Sequence, residues 1–230
     1  MDPDYFLYME NLKIPLFKLE HLKEGTFLTR PNRFVSQIVY ENNISLAHIH
    51  DPGRLKELLI KGKKVLFTDS KGKLDYYVKA VKSENEWVII DTSLHSKIAS
   101  LVFKYIPQLS KVKDIKKEVK LGKSRIDFML DGTPLEVKGA TLVKEDLALF
   151  PDAPTERGIR HVKEIIQHNG ILLFIIFRKS RCFKPNIETD PKFYKVLHEA
   201  KQKGIPILAI RISFDGETLY YRGEIPLCSF

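Results

Sequence analysis

The stretch that most restricts how this chain can fold is Lys116–Lys138, KKEVKLGKSRIDFMLDGTPLEVK, where two turn dipeptides separate three runs of alternating character. Gly122-Lys123 and Asp131-Gly132 suit two-residue hairpin loops, the second favouring a type I′ turn. Pairing Leu121 with Ser124 sets Glu118 opposite Asp127, and pairing Leu130 with Thr133 sets Asp127 opposite Glu136. Side chains alternate faces along a strand, so Lys138 shares the face of Glu136. Val119, Ile126, Phe128, Leu130, Leu135 and Val137 are directed to the other face. One face is apolar, and the other carries three carboxylates and an ammonium.

Opposed like charges destabilise a sheet by roughly 0.2–1 kcal/mol per pair. A hard divalent cation converts that penalty into affinity, since Mg²⁺ takes one or two carboxylates together with waters and substrate phosphates. Mn²⁺ suits the same oxygen donors. Beside such a cation Lys138 is suited to orient or activate a water and to stabilise charge on a phosphoryl oxygen. A lone E-x-K is more simply a solvated charge pair. Here two turns, the alternation and three aligned acids together point to a metal site of Glu118, Asp127 and Glu136.

The pattern Asp127-x8-Glu136-Val137-Lys138 resembles the PD-(D/E)xK nuclease signature, with Ile126-Asp127 in place of Pro-Asp. Around it, SRIDFML, LEVKGATL and FPDAPTERGIRHVKEI closely resemble the sugar fermentation stimulation protein A family. So do NRF at Asn32–Phe34, DPGRLKELL at Asp51–Leu59 and DTSL at Asp91–Leu94. The resemblance implies an α+β protein: a small OB-like β-barrel over residues 1–90 that binds nucleic acid, then a PD-(D/E)xK nuclease-type α/β domain over 91–230. It also implies DNA, single- or double-stranded, as partner, and Asp127, Glu136 and Lys138 as the catalytic residues of a Mg²⁺- or Mn²⁺-dependent deoxyribonuclease. Many such nucleases carry a further acid on the helix before the first strand. The helix expected here, Ser96–Ile106, has none, and Glu118 is assigned that place. The alternative reading is a non-catalytic DNA-binding regulator of sugar metabolism, as the family's name suggests.

Charge agrees with a polyanionic partner. The chain carries a formal +9, and Lys111, Lys113, Lys116, Lys117, Lys120, Lys123 and Arg125 flank the acidic positions. Arg30, Arg33 and Arg54, in or beside barrel loops, and Arg157, Arg160 and Lys163, on the helix expected over Thr155–Asn169, are the other candidate phosphate contacts. Asp152, Thr155, Glu156 and His161 are candidate supports of the metal site through the family match, although Asp152 also suits the role of helix cap. On that helix Ile159, Val162, Ile165 and Ile166 form the apolar stripe, leaving His161 on the polar side. A homodimer is admitted as a second partner. No apolar run approaches the ~18–20 residues of a membrane span, so no membrane partner is expected. The N-terminal MDPDYFLYMENLK opens acidic, without the basic start and apolar core of a signal peptide, and a cytoplasmic address is expected.

The first half reads as short strands around Thr26–Leu28, Phe34–Tyr40, Ile44–His48, Lys64–Thr68, Tyr76–Val81 and Trp87–Ile90, with a short helical stretch at Arg54–Ile60. Phe27, Phe34, Tyr76, Tyr77 and Trp87 are split between barrel core and a base-stacking surface, the core taking most of them. His48 and His50 read as packed or exposed histidines. In the second half a helix, the three-strand meander, an irregular stretch to Pro154, a helix, a strand at Ile171–Phe177, a helix at Pro191–Lys203 and a strand at Ile207–Ile212 follow in order. Cys182 and Cys228 are too few for a disulfide framework or a zinc site and are expected as free thiols. The aromatic, acidic segment Tyr5–Leu16 suggests no function.

Overall fold

A computed structural model describes residues 12–122 and 124–230. Lys123 of the first turn and the part of the Tyr5–Leu16 segment before Leu12 lie outside these. Five strands close the barrel: β2 (Lys23–Asn32), β3 (Val35–Tyr40), β4 (Asn43–His48), β5 (Lys64–Asp69) and β6 (Tyr76–Ser83), with β4 and β6 joined in parallel at Ala47↔Tyr76 and His48↔Tyr77. The sequence places each of these strands to within a few residues. Arg54–Ile60 is a turn rather than a helix. Leu55 adopts a φ of 51°, and both it and Leu58 are buried plugs in the core, so packing overrides a weak local helical tendency.

The barrel does not stand alone. Its strand β6 pairs with β7 (Glu86–Ile89), and β7 meets β15 (Ile207–Phe214) at Trp87↔Phe214. One sheet then continues through β13 (Ile171–Ile176), β10 (Thr133–Ala140) and β9 (Ser124–Leu130) to an edge strand, β8 (Ile115–Leu121). β1 (Ile14–Lys18), although within the first ninety residues, pairs with β16 (Thr218–Glu224) and so extends the second half. One core runs from barrel residues such as Phe67 and Val81 into Phe128, Leu135, Leu173 and Ile210. The helices are α1 (His95–Val102), α2 (Glu156–Gln167) and α3 (Pro191–Gln202). Parallel strands need a crossover, and α2 and α3 supply those leading into β13 and β15, packing over a second core of Val162, Ile165, Phe174 and Phe193. The stretch read as irregular contains β11 (Leu142–Lys144) and β12 (Leu147–Phe150), which form a small sheet with β14 (Cys182–Pro185).

Cys182 and Cys228 are not free thiols: they form a disulfide, with Cα atoms 5.2 Å apart. The pairing follows from a chain reversal that no spacing announces. The C-terminal segment returns alongside β14, where Cys228 N donates to Phe183 O and Phe183 bridges to Leu227. Among the described residues, no helix is long and apolar enough to cross a membrane.

Candidate functional site

The two hairpins form in the register expected. Leu121 faces Ser124, Lys117 faces Phe128, and Leu130 faces Thr133. Phe128, Leu130, Leu135 and Val137 enter the first core, while Ile126 enters the second. The β9–β10 ladder stops at Phe128↔Leu135. Beyond it Asp127 Oδ2 accepts the Val137 N–H at 2.7 Å, so a side chain takes over where a backbone carbonyl would have paired. From there β10 leans on β13, with Glu136 beside Leu172 and Lys138 beside Phe174.

This brings Asp127, Glu136 and Lys138 together. Glu136 is only 2% exposed. Its Oε1 accepts from Lys138 Nζ at 2.5 Å and is also in contact with His161 Nδ1. Its Oε2 is buried with no hydrogen-bond partner among the described residues. Burial pushes Glu136 up, but the Lys138 ammonium and His161 outweigh it and hold the carboxyl below its usual range. Burial, and then the neighbouring Glu136 charge, push Asp127 from 3.8 to about 6. Among two close acids, the one without a cationic neighbour at bonding distance is the one that resists ionising.

Glu118 stays out of this group. It occupies the row opposite Asp127, but its backbone takes a φ of 54°, and its exposed carboxylate pairs with Arg125 Nη1 at 3.1 Å. The left-handed residue breaks the pleat that alternation presumes. Among the described residues no group of three or more His, Cys, Asp and Glu side chains stands in a ligand-like cluster. The acids at hand are two.

Helix α2 delivers His161. Thr155, not Asp152, is its N-cap: Thr155 Oγ1 accepts from Gly158 N at 3.0 Å. His161 is buried rather than solvated, because α2 packs against β9 and β10. Arg157 Nε approaches His161 Nε2 at 3.4 Å. Arg160 and Lys163 are exposed on the same helix, and Glu156 pairs loosely with Lys192 at 3.5 Å. Asp152 instead reaches the barrel, where its Oδ2 accepts from Leu55 N at 3.0 Å. That bond joins the start of α2 to the Asp51–Leu59 loop. Arg30 holds the same loop by donating to the carbonyls of Arg33, Asp51, Gly53 and Arg54. Its guanidinium is committed to the fold, whereas Arg33 and Arg54 remain exposed.

Two groups beside the site were not singled out by residue type and spacing. Asp91, fully buried, accepts from Tyr77 Oη, Lys79 Nζ and Ser93 N. Burial works against its charge, but Lys79, Ser93 and Tyr77 hold its pKa below 3.8. His95, four residues on, opens α1. Its ring lies against Gly139, where a Cβ would overlap it, and Lys138 is near enough to act on its charge. Burial keeps His95 down at about 4, so its imidazole is neutral at pH 7. The only signal in the sequence was the DTSL block, which arose from resemblance.

The comparisons agree with this architecture. The model described as the SfsA N-terminal OB domain matches residues 28–90, and the sugar fermentation stimulation protein RE domain matches residues 93–218. The sugar fermentation stimulation protein homolog of Saccharolobus solfataricus is 42% identical over 216 residues, covering 91% of this chain and 87% of that protein. The homolog of Sulfurisphaera tokodaii is 41% identical, with 93% of each chain covered. The solved structure of Pyrococcus furiosus SfsA in complex with Ca²⁺ superposes with a TM-score of 0.87 at 30% identity, covering 94% of this chain and all of that one.

Proposed function

Since the chain belongs to the sugar fermentation stimulation protein A family, we propose that it binds DNA and hydrolyses its phosphodiester bonds with Mg²⁺ or Mn²⁺ held at Asp127 and Glu136. The observation that carries this reading is the buried Glu136 Oε2, which has no partner among the described residues and stands beside an Asp127 whose charge is resisted. Hard carboxylate oxygens, two in number and leaving the rest to water and phosphate, suit these cations. The Ca²⁺ in the Pyrococcus furiosus relative is of the same hard, oxygen-seeking class. When bound, the cation supplies Lewis-acid stabilisation of phosphoryl charge. Lys138 Nζ positions the attacking water and offers a proton-rich group to the charge that develops. His161 keeps Glu136 oriented, and Arg33, Arg54, Arg157, Arg160 and Lys163 hold phosphates. Labelled single- and double-stranded DNA, incubated with the protein and either cation or chelator, tests the reading. Binding without product under every condition would move it to the DNA-binding regulator.

The cation should raise the melting temperature by linkage, and Asp127→Ala should lose that rise. The pH dependence has a definite sign. With Asp127 raised from 3.8 to about 6, the folded state holds a proton that the unfolded state has lost, so without cation this group's contribution to stability falls as pH rises through that window. Cation affinity runs the opposite way, weakening by about tenfold per pH unit below about 6, since cation and proton compete for one carboxylate. Calorimetric titration between pH 5 and pH 7 checks both signs, and equal binding by wild type and Asp127→Ala would place the cation elsewhere.

DNA affinity should fall steeply with salt. About five phosphate contacts imply a loss between ~50 and ~200 mM of roughly 500-fold for duplex and roughly 130-fold for single strands, readable by anisotropy. A flat response would mean that contacts other than phosphate dominate.

A further inference from the structure

Building on the nuclease reading above, we propose that the barrel face bearing Phe34, His48, His50 and Tyr77 is a stacking platform for unpaired bases, which makes the substrate a single-stranded nucleic acid. Of the aromatic side chains in the first half, Phe27 and Trp87 are core, and Tyr76 packs on Phe67 and Tyr40. Phe34 and Tyr77 belong to neither core. They join two histidines in one row. The Phe34 ring lies 17° from parallel to His48 at 6.3 Å, His48 is 5.3 Å from Tyr77, and His50 is 5.6 Å from His48 and 6.2 Å from Tyr77. Strand register explains the row, since His48 is partnered by Val35 on one side and by Tyr77 on the other.

The row is open at its ends. Phe34 is 48% exposed and His50 is exposed. Four π-faces gathered outside a core, two of them wet, gain little from packing but match the sequence-tolerant stacking of bases on aromatic side chains. The charge beside them has the right sign. Arg33 adjoins Phe34 in sequence and Arg54 lies in the neighbouring loop, both exposed and with their carbonyls fixed by Arg30. Lys79 is unsuited to phosphate, because its Nζ is spent on Asp91 at 2.7 Å and on the Tyr77 ring at 3.4 Å.

The platform is also continuous with the acidic site. Tyr77 Oη donates to Asp91, and the His50 carbonyl accepts from Thr92 N at 3.0 Å. Asp91 and Thr92 lead directly into His95, which lies against Gly139 beside Lys138. The segment Asp91–His95 therefore touches the ring row at one end and the β10 backbone next to Lys138 at the other. Duplex DNA keeps its bases paired inside and offers these rings nothing to stack on.

The test uses the whole protein in chelator, at fixed salt, with fluorescein-labelled oligo(dT), oligo(U) and an abasic deoxyribose-phosphate chain of equal length. Phe34→Ala and His48→Ala should each weaken binding of the base-bearing oligomers by about 5- to 100-fold and leave the abasic chain's affinity unchanged. Phe34→Trp should restore it. Phe34 is exposed, so its variants keep the fold, which melting confirms. Equal losses on base-bearing and abasic chains, or no loss on either, overturn the platform. So does a Phe34→Ala variant that dissociates a dimer in sedimentation while binding oligo(dT) normally, because the face then belongs to a second copy. Wild type that binds by its bases yet never cleaves with Mg²⁺ or Mn²⁺ upholds the platform and removes the nuclease reading. Normal cleavage by a Phe34→Ala variant with unchanged binding does the reverse.

Discussion

Lys138→Ala is expected to slow phosphodiester cleavage by about 10²–10³-fold, the usual loss when one preorganised group at a developing charge is removed. DNA affinity should change by less than about tenfold, since one cation contributes roughly one phosphate contact. Structure adds a condition. Lys138 Nζ holds Glu136 Oε1 at 2.5 Å, so its loss leaves a nearly inaccessible carboxylate with His161 alone. The pKa of Glu136 should then rise, because the Lys138 charge is the chief influence opposing burial. Single-turnover rates measured across pH separate the two consequences. A loss that higher pH repairs belongs to Glu136, and a loss that persists at every pH belongs to the missing amine. If Lys138→Ala altered affinity alone, Lys138 would be one more phosphate contact and the regulator reading would stand.

The largest stability effect is expected at Asp91. The carboxylate is fully buried and bonded to Tyr77 Oη at 2.5 Å, Lys79 Nζ at 2.7 Å and Ser93 Oγ at 2.6 Å. Asp91→Ala leaves the Lys79 ammonium largely desolvated and unpaired, which costs about 3–5 kcal/mol. At about 2–4 °C per kcal/mol for a chain of this size, the melting temperature should drop by roughly 6–20 °C. Asp91→Asn keeps a hydrogen-bonding side chain and should lose less. The sign with pH follows from the lowered pKa. Stability from Asp91 is present above 3.8 and is lost as pH falls through its depressed folded value. Calorimetric melting curves of wild type and Asp91→Ala should therefore converge in acid. A drop of less than about 2 °C at neutral pH would mean that water, not Asp91, satisfies Lys79.

The hairpins were legible because turn chemistry and alternation are local, and both survive into the fold. Asp127, Glu136 and Lys138 could be aligned from register alone. Glu118 could not be placed correctly, since alternation assumes an extended backbone and a single left-handed residue redirects its side chain. His161 has the spacing of a polar helix position, and only the approach of α2 to β9 and β10 buries it. The Cys182–Cys228 pair, the β1–β16 pairing and the bearing of His95 on Lys138 join residues distant in the chain, and no local pattern announces them. Arg54–Ile60 failed for the opposite reason, a weak local propensity overruled by two leucines drawn into the core.

The meeting of Trp87 with Phe214 has a consequence for how the molecule comes apart. The two matched regions, 28–90 and 93–218, share one sheet and one core. Two matched modules joined by one sheet and a shared core are expected to unfold as one cooperative unit, and melting should not resolve into two steps. Cutting the chain near residue 90 strips β15 of its β7 neighbour and β16 of β1, and bares apolar surface along the seam. Such a fragment is an invitation to edge-to-edge association, so the barrel's contribution is better measured by changing single side chains than by amputation.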